Sequence, residues 1–468
     1  MSPRKSVSRN FLALGSGEVI SRLLAFAAII YVARILGADN YGVIAFAVGI
    51  NLYFSRIADF AIEWVGVREI ARNQQSFEKL AAAIMGTRLI FSFIIATVSI
   101  LLVWFFLPDP ERYVLTLYLV SMIPIAANTK WIHMGLEDAK PVGLSRIIGE
   151  ALGLAVILFL LTPAAELWVP PVALVASESI MAAYLIIILR QRGYRLNLSL
   201  DMAVALPVFK SALPVLINLM LGLLIYNSDL IFLRMFRDSQ HVGYYAAAYM
   251  LISFINNLGL SYGMSLLPAL TRLGTGSDGE KPLYHTALAH IYAACLPLSV
   301  GGYLLADAII LQGFGDGYSG SALILQVLIW TIPMSMIRNV PWAALIARGR
   351  QDLLMRAILY AALANIILNI LLIPIYGMLG AAASTIATEI VAGYFMHSYA
   401  ATQGLHFVSL KRFIRPTIAT LAMALAIPAT NTHSLIINIV VGSVVYILIL
   451  AALGGIRFKK GQLPDLNV

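Results

Sequence analysis

The chain has a single cysteine, Cys295, and it lies inside an apolar run. No disulfide can form within the chain, and no Cys-x-x-Cys metal or redox motif exists. Charge is also scarce: Asp, Glu, Lys and Arg make up 12% of the 468 residues, against 60% hydrophobic, and mean hydropathy is +0.86. A soluble chain of this length needs far more polar surface. No P-loop, Gly-x-Ser-x-Gly elbow or paired-carboxylate loop stands outside the apolar runs, and no hydrophilic stretch could fold into an ATPase domain. His133, His285, His290, His397 and His433 are not spaced as zinc ligands. The net charge of +9 is dispersed rather than gathered into a stripe, which argues against nucleic acid. The basic start Arg4-Lys5 leads into a segment holding Arg22 and Arg34, expected to be a retained first helix rather than a cleaved signal.

What the chain has instead is long apolar runs, about 14 of them, each near the ~20 residues that span a bilayer. Among them are 15–36, 41–62, 113–136, 319–346 and 413–430. Lys and Arg crowd into every second gap, at Arg68, Arg72 and Lys79, at Lys140, at Arg190, Arg192 and Arg195, at Arg272 and Lys281, at Arg348 and Arg350, and at Lys411 and Arg412. Arg9 near one end and Lys459 and Lys460 near the other add to the same side. Cations are retained in the cytoplasm, so both termini are expected there, with Arg112, Arg234 and Arg237 as outer-side exceptions. The fold class is therefore an all-α polytopic protein of the inner (plasma) membrane.

An internal repeat runs through the pattern. Arg34 and the turn before Gly42 are echoed by Arg234 and the turn before Gly243, and Pro124, Lys130 and Trp131 by Pro333, Arg338 and Trp342. Each pair lies six helices apart, which gives parallel repeats. The expected organisation is a six-helix lobe over 1–190, a linker over 191–206, a second lobe over 207–402 and two extra helices over 403–468.

The segment Leu36-Gly37-Ala38-Asp39-Asn40-Tyr41-Gly42, the loop Val67-Arg68-Glu69-Ile70-Ala71-Arg72 and this arrangement resemble the polysaccharide-biosynthesis (Wzx-type) flippases. Their superfamily also holds drug/cation antiporters and the lipid II flippase. The resemblance implies two lobes around a central cavity, alternating access, no enzyme activity and no cofactor beyond Na⁺ or H⁺ coupling. It further implies a monomer carrying a polyprenyl-linked glycan among membrane lipids, with glycan polymerase and chain-length proteins as partners. A drug antiporter of the same superfamily, or less readily a membrane-embedded glycan polymerase, are the other readings.

Ionisable groups inside a membrane are costly and usually face a polar interior. Arg22, Arg56 and Arg88 lie six or seven residues inside the cytoplasmic ends of three helices, roughly 10 Å deep at ~1.5 Å per residue. Lys130 and Arg338 fall near that level. Guanidinium groups bind phosphate through paired hydrogen bonds, so these five are candidates for the pyrophosphate that the resemblance implies. Local neutralisation stays open, because Glu18 is i−4 to Arg22 and Asp59 is i+3 to Arg56. A second set, Asp229, Asn365, Asn369 and Thr385 with the Ala381 carbonyl, is rich in oxygen and suits a hard monovalent cation, though interhelical hydrogen bonding fits it too. In relatives of the lipid II flippase the matching residues form a sodium site; this chain has Asn369 where a carboxylate occurs there. Glu389, one turn beyond Thr385, and Glu150 and Glu178 are candidate proton carriers, each also open to pairing with a cation such as Arg146.

Overall fold

The computed structural model describes residues 3–72, 77–162, 167–194, 196–430, 432, 434–457 and 465–466, with side chains from Val19 onward apart from Tyr226 and those beyond Gly455. Arg4, Lys5, Arg9, Glu18, Arg195, His433, Lys459 and Lys460 thus lie outside the described side chains. The chain forms two compact units, Met1–Leu223 and Leu224–Val468. The first holds α1 (Pro3–Asp59), α2 (Ile62–Arg72), α3 (Phe77–Phe106), α4 (Glu111–Leu119), α5 (Met122–Ala127), α6 (Lys130–Gly135), α7 (Ala139–Leu160), α8 (Val169–Gln191) and the start of α9 (Met202–Phe236). The second holds the end of α9, then α10 (Ser239–Leu273), α11 (Glu280–Leu304), α12 (Ala306–Phe314), α13 (Gly320–Leu328), α14 (Thr331–Ala347), α15 (Gln351–Tyr376), α16 (Met378–Thr402), α17 (Ile414–Ala429) and α18 (Leu435–Ala452). A short antiparallel ribbon pairs Ile456–Arg457 with Asp465–Leu466.

Among the described residues 11 helices are long and apolar enough to cross a membrane, where the sequence pattern suggested about 14. Two expected segments take other forms and two others join end to end. Segments 15–36 and 41–62 are the two helices that make up α1, meeting at the kink at Gly37, whose φ of 73° a side chain would resist. Asn40 donates to the Leu36 carbonyl at 3.3 Å and so satisfies an acceptor at that break. Segment 113–136 becomes the three pieces α4, α5 and α6, and 413–430 yields α17, whose 16 residues fall short of a straight crossing. The stretch expected as a loop at 67–72 is helical, because α2 buries Val65, Gly66 and Ile70 and turns Arg68 and Arg72 outward beside Glu69.

The boundary between units falls inside α9 rather than in the expected 191–206 linker. Val208 and Ala212 of α9 pack into one core with Ile62, Ile84 and Trp131, and the Ser199 amide donates to the Ala82 carbonyl of α3. Burial of that apolar face ties the beginning of α9 to the first unit.

Large apolar side chains cover the outside, among them Phe105 and Phe159 at 83% and 84% exposure, while Asp229, Asn365, Asn369 and Glu389 are buried. Water would not tolerate that inversion; lipid does. The chain is a multi-pass membrane protein.

Glycine permits the tightest approach in the second unit. A Cβ on Gly380 of α16 would stand 2.3 Å from the Leu372 carbonyl oxygen of α15. Backbone cannot yield as a side-chain tip can, so Gly380→Ala is expected to cost about 1–3 kcal/mol. Thermal unfolding in detergent should show a clearly lowered midpoint; an unchanged midpoint would mean that α15 and α16 are not so closely seated.

Candidate functional site

The five expected cations do not share one environment. Arg88 of α3 is buried against Asp59 at the end of α1, its Nη2 bonded to the carboxylate. The same Nη2 donates to the Ile125 carbonyl at 2.9 Å, and Nη1 to the Asn128 carbonyl at 3.2 Å. Asn128 is extended, at ψ 124°, where α5 gives way to α6. That break frees carbonyls which the bilayer cannot satisfy, and the guanidinium takes them up. Arg88 therefore leaves the candidate phosphate set: both Nη atoms are bonded to the protein itself, and the Nε that has no partner is buried.

This pairing has a consequence for Arg56. The i+3 neighbour that could have neutralised it, Asp59, is given to Arg88 instead. Arg56 is half-buried on α1, and its side chain makes no ion pair or hydrogen bond with another described residue. Lys130, at the start of α6, reaches Glu63 of α2 at 2.9 Å, with both side chains about one-third exposed. Between α1 and α2 the chain turns through left-handed backbone at Phe60 and Ala61, with φ 53° and 57°, and this re-aims α2 so that Glu63 meets Lys130. Arg22 lies on the same helix as Arg56, at an exposed position.

Two glutamates complete the group. Glu178 of α8 lies within electrostatic reach of Lys130, Glu150, Arg146 and Arg56, and Arg146 of α7 within reach of both glutamates. The convergence is built by small residues. A Cβ on Gly149 would stand 2.4 Å from Met181 Cγ, and one on Gly153 would touch Ser177, so α7 and α8 close together where Glu150 and Glu178 sit. Like Arg56, the two glutamates make no side-chain hydrogen bond or ion pair with another described residue.

The second unit assembles the expected oxygen-rich set. Asp229 of α9 is 1% exposed. Its Oδ1 accepts from the Asn369 amide at 2.6 Å and the Asn365 amide at 3.3 Å, both on α15. Its Oδ2 accepts from the Tyr245 hydroxyl of α10 at 2.7 Å and lies 2.5 Å from Thr385 Oγ1 of α16. Thr385 Oγ1 is also 3.0 Å from the Ala381 carbonyl, and the Ser228 hydroxyl donates to Asn365 Oδ1 at 2.7 Å. Asn369 Oδ1 is buried without a hydrogen-bond partner. Four donors thus stand around one buried carboxylate and satisfy it.

Sequence reasoning did not place Ser228 or Tyr245 here. Tyr245 was within its reach: Asp229 is seven residues from the end of α9 and Tyr245 six from the start of α10, so both lie about 10 Å along their helices from that turn. Glu389 and Arg338, expected in separate sites, pair with each other. Arg338 Nε and Nη2 meet the two Glu389 oxygens at 3.0 and 3.2 Å, both residues being buried. A bidentate pair of this kind withdraws both from the substrate and ion sets. The three arginines that break the charge pattern are also held: Arg112 by Asp109 and the Trp104 ring, Arg237 by the Pro374 carbonyl at 3.0 Å, and Arg234 by the Arg237 carbonyl at 3.5 Å.

With both sets of residues placed, comparison with known proteins identifies the lineage. The family model described as polysaccharide biosynthesis protein matches residues 7–274, more than half of the chain. The chain belongs to that family. A curated relative from Shigella dysenteriae, named "Putative O-antigen transporter", is 24% identical over 404 residues, covering 83% of this chain and 99% of that one. Among solved structures, the lipid II flippase MurJ in an inward closed conformation superposes with a TM-score of 0.75 at 16% identity, covering 94% of this chain and 98% of that one. A multidrug resistance MATE transporter of the MOP superfamily in an inward-facing conformation superposes at 0.65 with 14% identity, covering 82% and 95%. At such identities these likenesses establish the fold. This family member thus has the helical transporter fold that those proteins share.

Proposed function

We propose that the chain is a transporter rather than an enzyme, and that it flips a polyprenyl-pyrophosphate-linked oligosaccharide from the cytoplasmic to the outer leaflet of the inner membrane by alternating access. The observation that carries this reading is Arg56: a half-buried guanidinium on a membrane helix, with no hydrogen-bond or ion-pair partner among the described residues and, like Lys130, within electrostatic reach of Glu178. A half-buried guanidinium without hydrogen-bonded acceptors is costly in a membrane, and phosphate oxygens offer it paired acceptors. Arg56 would grip the pyrophosphate through its fork, and Lys130 would add a point charge on exchanging Glu63 for the ligand. Family membership and the name of the Shigella relative support the glycan class. The fold shared with a MATE transporter also fits cation-coupled drug antiport, but Arg56 and Lys130 favour an anionic over a cationic substrate.

The Asp229 set is proposed as the coupling site. Its donors fit a hard monovalent cation such as Na⁺: one carboxylate, two amide oxygens, the Thr385 hydroxyl and the Ala381 carbonyl. Rotating the Asn365 and Asn369 amides would replace N–H groups by oxygens around Asp229, using the acceptor Asn369 Oδ1 that now has no partner. Cation binding would thereby re-form the contacts among α9, α15 and α16, and so bias one conformation over another.

Deleting the gene should remove surface glycan and leave lipid-linked oligosaccharide on the cytoplasmic leaflet, as read by extraction and leaflet-selective labelling. Normal surface glycan without accumulation would reject the flippase reading. For the coupling site, Asp229→Asn should abolish the sodium dependence of transport in proteoliposomes; transport by the parent that ignores sodium would remove Na⁺ from the account.

A further inference from the structure

The Asp229 site holds a group to which the coupling reading gives no task. Tyr245 of α10 is 1% exposed, and its ring stacks on that of Tyr249 with centroids 5.9 Å apart and planes 11° from parallel. Packing thus fixes its hydroxyl, which lies 2.7 Å from Asp229 Oδ2 and 3.0 Å from Thr385 Oγ1. Thr385 Oγ1 in turn lies 2.5 Å from Asp229 Oδ2 and 3.0 Å from the Ala381 carbonyl. Three oxygens therefore form a closed triangle, and two hydroxyl protons are shared out around it.

Each proton has an acceptor besides Asp229. Aimed at the carboxylate, the Tyr245 and Thr385 protons both cover Oδ2. Turned away, Tyr245 donates to Thr385 Oγ1 and Thr385 donates to the Ala381 carbonyl, which leaves Oδ2 bare. The same heavy-atom positions serve both arrangements, so the change turns two hydroxyls and moves no helix. In the second arrangement no proton stands between Oδ2 and either hydroxyl oxygen. Such close, bare oxygens repel unless a positive charge lies among them. The first arrangement accordingly suits the cation-free site and the second the loaded one.

We propose that the Tyr245 hydroxyl is the switch that closes and opens Asp229 to a monovalent cation. Its bond to the carboxylate is charge-assisted, whereas its bond to Thr385 joins neutral groups and is about half as strong. Tyr245 therefore stabilises the free site more than the loaded one, which holds affinity down and favours release. The turn also moves the α10 hydrogen bond from Asp229 on α9 to Thr385 on α16, so a fourth helix registers occupancy. This inference deepens, and rests on, the reading of the Asp229 set as a cation site.

The test is binding of radiolabelled Na⁺ to the full chain in phosphatidylcholine nanodiscs, beside sodium-dependent thermal unfolding. Tyr245→Phe keeps the ring and removes only the hydroxyl. It should bind Na⁺ about fivefold or more tighter than the parent, and sodium should raise its unfolding midpoint by more, a gain that structural damage does not give. Equal or weaker binding by the folded variant, with the parent binding Na⁺, overturns the switch and leaves the cation site standing. If Tyr245→Phe does not elute as a folded monodisperse species, fluorotyrosine in place of Tyr245 decides: its fluorine NMR signal should move as sodium is titrated, and a signal indifferent to saturating sodium overturns the switch. Sodium binding absent from the parent, or retained in full by Asp229→Asn, overturns both this inference and the coupling reading beneath it.

Discussion

Replacing Arg56 with glutamine is expected to lower surface glycan by about 100-fold or more while the protein stays folded and abundant. Glutamine keeps much of the side-chain volume, so helix packing should survive. What disappears is the charge and the fork. Truncating one partner of a desolvated, charge-assisted contact costs about 2–5 kcal/mol, and 2.7 kcal/mol is already about 100-fold. Arg56→Lys restores the charge without the fork, and intermediate export is expected. Since Arg56 makes no ion pair with a described residue, its loss breaks no pair among them, and the thermal midpoint should stay within a degree or two of the parent. Surface-glycan staining, scored beside protein level and unfolding temperature, checks this. Normal export in the glutamine variant would remove Arg56 from the substrate path.

The reverse pattern is expected at Arg88. Arg88→Ala leaves Asp59 buried without its partner, the Asn128 carbonyl without its guanidinium donor and the Ile125 carbonyl with only the Asn128 amide. Breaking a buried pair in this way costs about 3–5 kcal/mol, so the variant should be poorly expressed and unfold far below the parent. Removing both charges with Asp59→Leu and Arg88→Met together should recover much of that loss, because replacing a whole buried pair by apolar groups is often near neutral. Export should return with the fold, since neither residue is asked to touch substrate. A double variant that folds normally but exports nothing would put Arg88 back among the ligands of the phosphate.

The different fates of Arg56 and Arg88 mark how far the sequence could be read. Depth counted along helices placed both at one level, and hydropathy alone placed the helices. The same counting matched Asp229 with Asn369 and Thr385, which meet in the structure. Depth does not report which way a side chain turns around its helix, nor which of two arginines a shared aspartate will choose. Asp59 chose the one on another helix, because that guanidinium also closes the carbonyls opened at Asn128. A break in α5–α6 had to be seen before that need was visible. Arg338 and Glu389 were separated for a similar reason: they lie 51 positions apart on α14 and α16, and only the packing of those helices brings them together. The expected boundary at 191–206 failed because a polar gap is visible in sequence, whereas the apolar face that ties Val208 and Ala212 to the first unit becomes apparent only in its packing.

The central claim is that Arg56 receives the phosphate of a lipid-linked glycan during its passage between leaflets. The most direct measurement reconstitutes the purified chain in liposomes with a labelled polyprenyl-pyrophosphate oligosaccharide and follows its exposure to a membrane-impermeant lectin. Exposure is predicted to rise with the parent chain and to stay at the level of protein-free liposomes with Arg56→Gln. Equal rates for the two chains, or no rise with either, would contradict the account.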